Sequence, residues 1–430
     1  ERVHMTIVQS SPFQIQVLAA SSAEWPLSIG SNGRYLQKPG AVPFFSIIDT
    51  AWCAPLQLSL AQMDAYVADC VARKINGIIV QLMDPAFSDN SPRTYDGIPP
   101  LLSSDFSQPN GAYFDRVDYL VQRCKEAGIV VWMWPLYVGL QPGGSQGWWA
   151  EYSGSSQAVR RAWGTYIADR YKNYGNIILV HGGDGTVPNF SVLNDYIDAM
   201  VAAWPNALHS YHAARTVSAF TAANGQSWLS LNNTYLNDSG AAAPALTEYN
   251  RTPVRPLFLV EEYYENSGED AGRILNILWQ SLCSGCLAGV AYGHTDIWTF
   301  GGPGYDQNFA AHYGDPGRAS LRHIRSLIDL YQWWKLQPSV SGALVTTALG
   351  SGNDKVCPML ASDSTFGWIY SPSAGFTVNK AAFSAAHQNI RIRSYDTRSG
   401  VFSIVSSSTP TTGTLAIASA GARVIVIDGA

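Results

Sequence analysis

Short, nearly uninterrupted apolar runs alternate with longer amphipathic segments over most of this chain. A brief apolar run bounded by turn residues is typical of a buried strand, and apolar residues three to four apart are typical of a helix. We predict a strand in each of eight such runs. They are FFSII (44–48), NGIIVQL (76–82), IVVWMWPLY (129–137), NIILVHGGD (176–184), ALHSYH (207–212), WLSLNN (228–233), RPLFLVEE (255–262) and LAGVAYGH (287–294).

Helical spacing follows most of these runs, and the sixth unit is the weakest because the helix after it is poorly defined. The predicted helices cover residues 60–74, 113–128, 157–171, 191–204, 270–285 and 320–334. Repeated strand-then-helix units predict a (β/α)8 TIM barrel over residues 1–339, with an N-terminal extension. A doubly wound open sheet is the alternative, but its first strand usually precedes a Gly-rich phosphate loop. Here DTAWCAP (49–55) follows, and it contains no glycine.

The pattern changes near residue 340. Five short segments of strand-like alternation, separated by Gly, Ser and Pro, occupy the rest of the chain. They predict a small antiparallel β-sandwich over residues 340–430. We expect this second domain to pack against the barrel rather than to bind sugar itself.

Composition excludes several classes of function. The 430 residues are 47% hydrophobic and 14% charged, and the formal net charge is −5. Nucleic-acid binding needs a basic face, so we expect no nucleic-acid partner. No run of 18 apolar residues predicts a membrane span. The sequence starts with Glu rather than Met, and we expect a secreted monomer, extracellular or periplasmic, whose signal segment has been removed.

Neither a metal nor a cofactor is expected. Six cysteines are present, and Cys283 and Cys286 form a C-x-x-C pair, but no second pair or histidine lies at zinc-site spacing. A local disulfide between these two residues stays open. H-E-x-x-H does not occur, which disfavours a zinc protease, and G-x-S-x-G does not occur in a strand–turn–helix context, which disfavours a serine hydrolase.

Two acids stand where barrel enzymes carry their catalytic groups, at the C-terminal ends of strands. Asp184 follows the fourth predicted strand in HGGDG, and Glu261 ends the seventh in LVEEYYE. Strands four and seven lie on opposite sides of an eight-strand ring, with room for a sugar between them. Cleavage of a glycosidic bond uses two such carboxyl groups. We therefore assign Asp184 as general acid/base and Glu261 as nucleophile, with Glu262 as the rival to Glu261.

The same strand-end rule selects residues that could bind a substrate. They are Asp49, Trp52, Gln81, Trp134, Tyr137, His181, His212, Asn232, Glu262, His294 and Trp298. The chain has 14 Trp and 22 Tyr, and their flat faces suit sugar rings, although a large barrel also buries many aromatic residues. Asp49 could bind a terminal sugar or cap a helix, and each histidine could bond a hydroxyl or be buried and satisfied.

Several uncommon motifs occur together in a fixed order, and in this the chain resembles the apiosidase-like glycoside hydrolases. The motifs are GRYL (33–36), PFFSIIDTAW (43–52), F-x-x-P-N-x-A-YFD-x-VDYL (106–120), YGNIILVHGGDG (174–185), RPLFLVEEYYE (255–265) and GVAYGHTDIW (289–298). The resemblance covers residues 30–335. It implies a retaining barrel glycosidase followed by a small β domain, with Asp184 as acid/base and Glu261 as nucleophile.

Two functions remain open from the sequence. The first is a retaining glycoside hydrolase that cleaves plant or microbial polysaccharide, exo-acting and similar to an apiosidase or arabinofuranosidase. The alternative is a non-catalytic carbohydrate-binding protein built on a glycosidase-like barrel. In both cases the expected partner is an oligo- or polysaccharide.

Overall fold

The computed structural model describes residues 9–10, 14–15, 24–140, 144, 146–235, 240–339 and 342–430. Near the N-terminus, β1 (Gln9–Ser10) pairs with β2 (Gln14–Ile15). A three-stranded antiparallel sheet follows, formed by β3 (Ser28–Ile29), β4 (Leu36–Lys38) and β5 (Val42–Phe44). Leu36 and Phe44 of this sheet join the apolar cluster inside the next domain.

Eight parallel strands form a nearly closed barrel, which confirms the predicted fold class. In chain order they are β6 (Ser46–Thr50), β7 (Gly77–Gln81), β8 (Val130–Trp134), β9 (Ile177–Gly182), β10 (His209–His212), β11 (Asn232–Tyr235), β12 (Leu257–Glu261) and, after the short β13 (Tyr264–Glu265), β14 (Gly289–His294). The ladder runs β10-β9-β8-β7-β6-β14-β12-β11. The predicted start of the sixth strand, residue 228, was wrong by four residues, because the strand begins at Asn232. Trp228 and Leu229 pack in the outer core instead.

The ladder ends at β10 and β11, which are joined differently from the other strands. The Leu231 backbone N–H donates to the His209 carbonyl at 3.0 Å, and the Asn233 side-chain amide donates to the Tyr211 carbonyl at 2.7 Å. A side chain therefore replaces part of the backbone ladder at this point of the ring.

Helices surround the barrel and bury its outer face. They are α1 (Ala54–Gln57), α2 (Leu60–Ala72), α3 (Gly111–Glu126), α4 (Trp149–Gly154), α5 (Gln157–Tyr171), α6 (Phe190–Ala203), α7 (Ala219–Ala223), α8 (Ala242–Tyr249), α9 (Ala271–Leu282) and α10 (Pro316–Ile328). Capping residues determine where several of these helices begin. At the start of α2, for example, Ser59 forms a capping box with Gln62. The unclear sixth helix is the eight-residue α8.

Strand residues alternate between two cores, as the two-residue period of a strand requires. Ile79, Trp132 and Val180 fill the barrel interior. Their neighbours Ile78 and Val131 pack outward under the helices. The side of the strand to which a residue points therefore decides whether it can reach the barrel mouth.

A C-terminal antiparallel domain packs on the barrel. Its strands are β15 (Leu336–Pro338), β16 (Cys357–Ala361), β17 (Phe366–Ser371), β18 (Phe376–Asn379), β19 (Asn389–Asp396), β20 (Phe402–Pro410), β21 (Thr414–Ile417) and β22 (Arg423–Gly429). Six form one sheet in the order β15-β16-β17-β22-β19-β20, and β18 pairs with β21. Trp368 and Tyr370 join the barrel's outer core, whereas Ile369 belongs to a second core with Phe376. The domain boundary between residues 339 and 340 stays a prediction. β15 belongs to the C-terminal sheet although it lies before that boundary.

In the part of the chain that the structure describes, no helix is both long enough and apolar enough to cross a bilayer.

Candidate active site

A cavity of about 380 Å³ opens at the C-terminal ends of the barrel strands. Acids, aromatic rings and one arginine line it. The lining residues are Trp52, Gln81, Phe87, Tyr137, Leu140, Gln146, Asp184, Arg215, Tyr235, Glu261, Glu262, Tyr263, Tyr264, Ser267, Thr295, Trp298 and Tyr305. A cavity of this size is in the usual range for a small ligand.

Asp184 reaches the cavity because β9 ends in two glycines. Gly182 has a φ of +92°, and a Cβ there would lie 2.2 Å from the His212 carbonyl oxygen. Only glycine fits this conformation and this close approach. The chain then turns, and the Asp184 carboxylate is partly exposed at the mouth.

Glu261 reaches the cavity because β12 contains an irregularity. In the pairing of β11 with β12, Thr234 lies opposite Leu259 but Tyr235 lies opposite Glu261, so Val260 is skipped. Regular alternation would turn Glu261 outward like Leu259, and an extra residue in a strand re-aims the side chains after it. The irregularity therefore turns Glu261, rather than Glu262, toward Asp184.

His212 lies between the two acids. Its Nε2 atom is 3.2 Å from Asp184 Oδ1 and 3.4 Å from Glu261 Oε2. The three facing atoms lie within 4.8 Å of one another. Burial lowers the pKa of His212, although the charge of Asp184 acts in the opposite direction. The ring is therefore neutral near pH 7 and lies between the two carboxylates without a hydrogen bond to either.

Tyrosines hold the Glu261 carboxylate. The Tyr264 hydroxyl donates to Glu261 Oε1 at 2.6 Å and accepts from the Trp52 indole N–H at 2.8 Å. Tyr235 makes a second hydrogen bond to Glu261. Burial and the charge of Asp184 raise the pKa of Glu261 well above its usual value, while the tyrosines and Arg215 oppose that rise.

The cavity brings together six of the eleven predicted binding residues. Trp52, Gln81, Tyr137, Glu262 and Trp298 line it, and His212 lies beneath the acids. The Glu262 carboxylate itself is buried, and burial raises its pKa well above the usual value, with the charge of Arg273 acting against the rise. Trp134 is fully buried under Trp52 and His212, so it supports the floor without lining the cavity.

Two predicted binding residues near the first and fourth strands do not reach the cavity. Asp49 is fully buried and pairs with Arg318 at 2.9 Å, and the Tyr66 hydroxyl also donates to it. His181 bonds the Tyr196 hydroxyl through Nδ1 and His209 through Nε2. Both expectations are corrected for the same reason: each side chain points outward, toward the helices.

Asn232 and His294 are corrected in the same way. The Asn232 side-chain oxygen accepts from the Phe220 backbone N–H at 2.8 Å, at the start of α7. His294 is fully buried, and its Nε2 contacts Asp315 at 2.9 Å. Both point away from the barrel axis.

The sequence analysis did not select Tyr235, Tyr264 or Arg215. Tyr235 lay beyond the end assigned to the sixth strand, and a correct boundary would have selected it as a strand-end residue. Tyr264 and Arg215 belong to loops after strands, and no local pattern marks the contacts that they make.

Among the residues that the structure describes, two groups of side chains are close enough to accept a metal ion by distance alone. One is Asp184, His212 and Glu261, and the other is His294, His312 and Asp315. In the second group, hydrogen bonds explain the short distances without a metal ion. The Asp296 backbone N–H donates to His294 Nδ1, so the ring carries its proton on Nε2, which faces Asp315. The six cysteines are buried free thiols, including Cys283 and Cys286.

Solved structures of known enzymes have the same architecture. A glycoside hydrolase family 5 protein from Bacteroides vulgatus ATCC 8482 superimposes with a TM-score of 0.80 at 18% identity, covering 94% of each chain. A second structure, described as a glycoside hydrolase, gives 0.80 at 18% identity and covers 95% of this chain and 97% of its own. At these identities the likeness concerns the fold. Among curated proteins, none matches this chain significantly.

The barrel has the fold of a glycoside hydrolase family 5 protein, and its cavity holds the paired acids at the C-terminal ends of the strands. More particularly, the chain belongs to the apiosidase-like family, because the model of that family's catalytic domain matches residues 30–335.

Proposed function

We propose that this protein is a retaining glycoside hydrolase in which Asp184 is the general acid/base and Glu261 is the nucleophile. The observation that carries the proposal is the convergence of the two acids, whose facing oxygens lie within 4.8 Å around His212. Retaining enzymes place their carboxyl groups about 5–5.5 Å apart, and inverting enzymes place them about 6.5–9.5 Å apart. A separation this short leaves no room for a water between Glu261 and the anomeric carbon, so it favours retention.

The two carboxyl groups divide the steps of a double displacement between them. Protonated Asp184 gives its proton to the glycosidic oxygen while an oxygen of Glu261 attacks the anomeric carbon and the leaving group departs. The hydrogen bonds from Tyr264 and Tyr235 orient the Glu261 carboxylate for this attack. Asp184 then removes a proton from water, which attacks the same carbon and releases Glu261.

The substrate that fits best is a terminal sugar of a plant or microbial polysaccharide. Aromatic side chains form one wall of the cavity, where Trp298 packs against Phe87 and Tyr305. Flat rings of this kind stack on the C–H faces of sugars. Membership of the apiosidase-like family supports a furanosyl or pentosyl side chain as that sugar, removed in an exo-acting manner. We further propose that the enzyme is a secreted monomer.

Aryl glycosides of pentoses and hexoses test the proposal. For Glu261→Ala we expect loss of turnover on every substrate. Asp184→Ala should retain more activity on an aryl glycoside with an activated leaving group than on a natural glycoside, because such a group needs little protonation. Product released first should have the anomeric configuration of the substrate when followed by NMR.

Asp105→Asn is the matched control, since Asp105 is a carboxylate outside the cavity on a loop. It should leave turnover unchanged. Binding of oligosaccharides without turnover by the wild type would overturn the enzyme proposal in favour of a carbohydrate-binding protein. Inversion of the anomeric centre would overturn the nucleophile role of Glu261.

A further inference from the structure

One wall of the cavity depends on a long connection after the last barrel strand. Residues 295–315 run from β14 to α10 and supply Thr295, Trp298 and Tyr305 to the lining. Apart from a 3-10 turn at Phe309–Gly314, this connection has no regular structure of its own. Backbone hydrogen bonds hold its start, where the Thr295 N–H donates to the Glu265 carbonyl and the Cys53 N–H donates to the Trp298 carbonyl. Side-chain contacts join the later residues to that start.

His312 is the centre of those contacts. Its Nδ1 lies 2.9 Å from Asp315 Oδ2, and its Nε2 lies 3.2 Å from Asp306 Oδ2 and 3.7 Å from Asp296 Oδ2. The same Asp315 oxygen lies 2.9 Å from His294 Nε2 at the end of β14. One imidazole thus connects the start, the middle and the end of the connection to the barrel.

The hydrogen-bond pattern fixes the protons in this cluster. The Asp296 backbone N–H donates to His294 Nδ1 at 3.1 Å, so His294 carries its proton on Nε2 and donates it to Asp315. Both ring nitrogens of His312 face carboxylate oxygens, and an ionised carboxylate only accepts. Both nitrogens therefore donate, and His312 is an imidazolium.

The surroundings of His312 support that charge. The charged groups that face it are Asp296, Asp306 and Asp315, and the ring beside it is His294. Partial burial lowers the pKa of His312, but the hydrogen bonds to Asp315 and Asp306 and the charge of Asp296 outweigh it and raise the pKa above the usual value. The group therefore keeps its charge to a higher pH than an ordinary histidine does.

We propose that protonated His312 is a positioning residue, a clamp that holds residues 295–315 and with them Trp298 and Tyr305 at the cavity. Deprotonation leaves one ring nitrogen without a proton opposite a carboxylate, which turns an attraction into a repulsion. The connection then loosens, and the aromatic wall moves with it. The part of this inference that concerns catalysis rests on the proposed glycosidase function, whereas the clamp itself does not.

Hydrogen exchange of the free protein tests the clamp without any substrate. After correction for the intrinsic effect of pH, protection of residues 295–308 in the wild type should fall about tenfold or more between pH 6 and pH 9, the factor expected for loss of one charge-assisted hydrogen bond. His312→Gln should be weakly protected at both pH values. His323→Gln, a histidine change on α10 outside the cluster, should follow the wild type.

Several results would overturn the clamp. They are wild-type protection that does not change with pH, His312→Gln as protected as the wild type, or stoichiometric zinc in protein dialysed against a chelator. If His312→Gln does not fold by circular dichroism, Asp306→Asn serves instead, and its protection should fall at a lower pH than in the wild type. On a glycoside substrate, His312→Gln should raise KM more than it lowers kcat, because Asp184 and Glu261 are untouched.

Discussion

At the scale of single residues, the site depends on hydrogen bonds that no sequence pattern marks. Glu261 is nearly buried, and a buried carboxylate is costly unless its oxygens are satisfied. Tyr264 supplies one hydrogen bond, and Trp52 in turn holds the Tyr264 hydroxyl. The Tyr264 hydroxyl, itself held by Trp52, thus orients the Glu261 carboxylate.

Tyr264→Phe should lower kcat/KM and shift its acid limb upward in pH. The tyrosine hydrogen bond lowers the pKa of Glu261, so its removal raises that pKa and delays ionisation of the nucleophile. A hydrogen bond to a charged group contributes about 1.5–3 kcal/mol, which corresponds to a loss of about tenfold or more on the acid side. Steady-state kinetics across pH measure this. Tyr95→Phe, an exposed ring, is the control, and an unshifted acid limb in Tyr264→Phe would contradict the assignment.

Alternation along each strand explains which predicted residues were corrected. Asp49 follows the inward Ile48, and His181 follows the inward Val180, so both had to point outward. The same period assigns His294 outward, two residues after Tyr292 of the outer core. Counting along each strand from its apolar residues is enough to remove these three from the site.

At the scale of elements, irregular strand ends place the two acids. Glu261 could not be chosen over Glu262 from the sequence, because strict alternation gives the opposite answer. The skipped Val260 in the pairing of β12 with β11 reverses it. An irregularity of this kind has no reliable signature in a single sequence, which is why the nucleophile was assigned there with a rival. The glycines before Asp184, by contrast, were visible at once.

Gly182→Ala should destabilise the protein and reduce activity. A new Cβ would meet the His212 carbonyl at 2.2 Å, and the φ of +92° disfavours any side chain. We expect a loss of more than about 1 kcal/mol in the free energy of unfolding, since the backbone must move. Denaturant unfolding and turnover measure the two effects.

Gly154→Ala is the matched control for that change. It lies in α4, and a Cβ added there would have no neighbour within 4 Å, so it should leave stability unchanged or raise it by up to about 1 kcal/mol. Equal stability of Gly182→Ala and the wild type would show that the strand end tolerates a side chain and that the glycine is not required.

At the scale of the whole molecule, the barrel and the C-terminal domain are joined by one shared core. The Tyr370 ring stacks on Trp279 of α9 with ring centroids 6.2 Å apart, and its hydroxyl donates to the Asn276 side chain at 2.8 Å. The barrel was predictable because eight apolar runs recur at regular spacing. The docking of the second domain was not, because it depends on which face of each strand meets α9.

The fold as a whole should lose stability in mild acid through a buried histidine pair. Burial and the charge of His209 lower the pKa of His181, and burial lowers the pKa of His209 to about 4. Both rings are neutral in the folded state and protonate near pH 6.5 when unfolded, so stability falls as pH drops from 6.5 toward 4. The His209 part amounts to about 3 kcal/mol.

Thermal unfolding at pH 7 and pH 4.5 checks this. The difference between the two melting temperatures should be smaller in His209→Asn than in the wild type, because the asparagine cannot take up a proton. The same difference in both proteins would mean that other groups govern the acid response.

The place where β10 meets β11 has a consequence for engineering. The side-chain amide of Asn233 replaces part of the backbone ladder between these two strands. His212 is the last residue of β10, and Tyr235 is the last residue of β11. Moving β10 and β11 apart by a fraction of an ångström would enlarge the cavity while breaking few main-chain hydrogen bonds. A library aimed at bulkier sugars should therefore begin with Asn233 itself, because its side-chain partners are main-chain atoms of Tyr211 and Ala219.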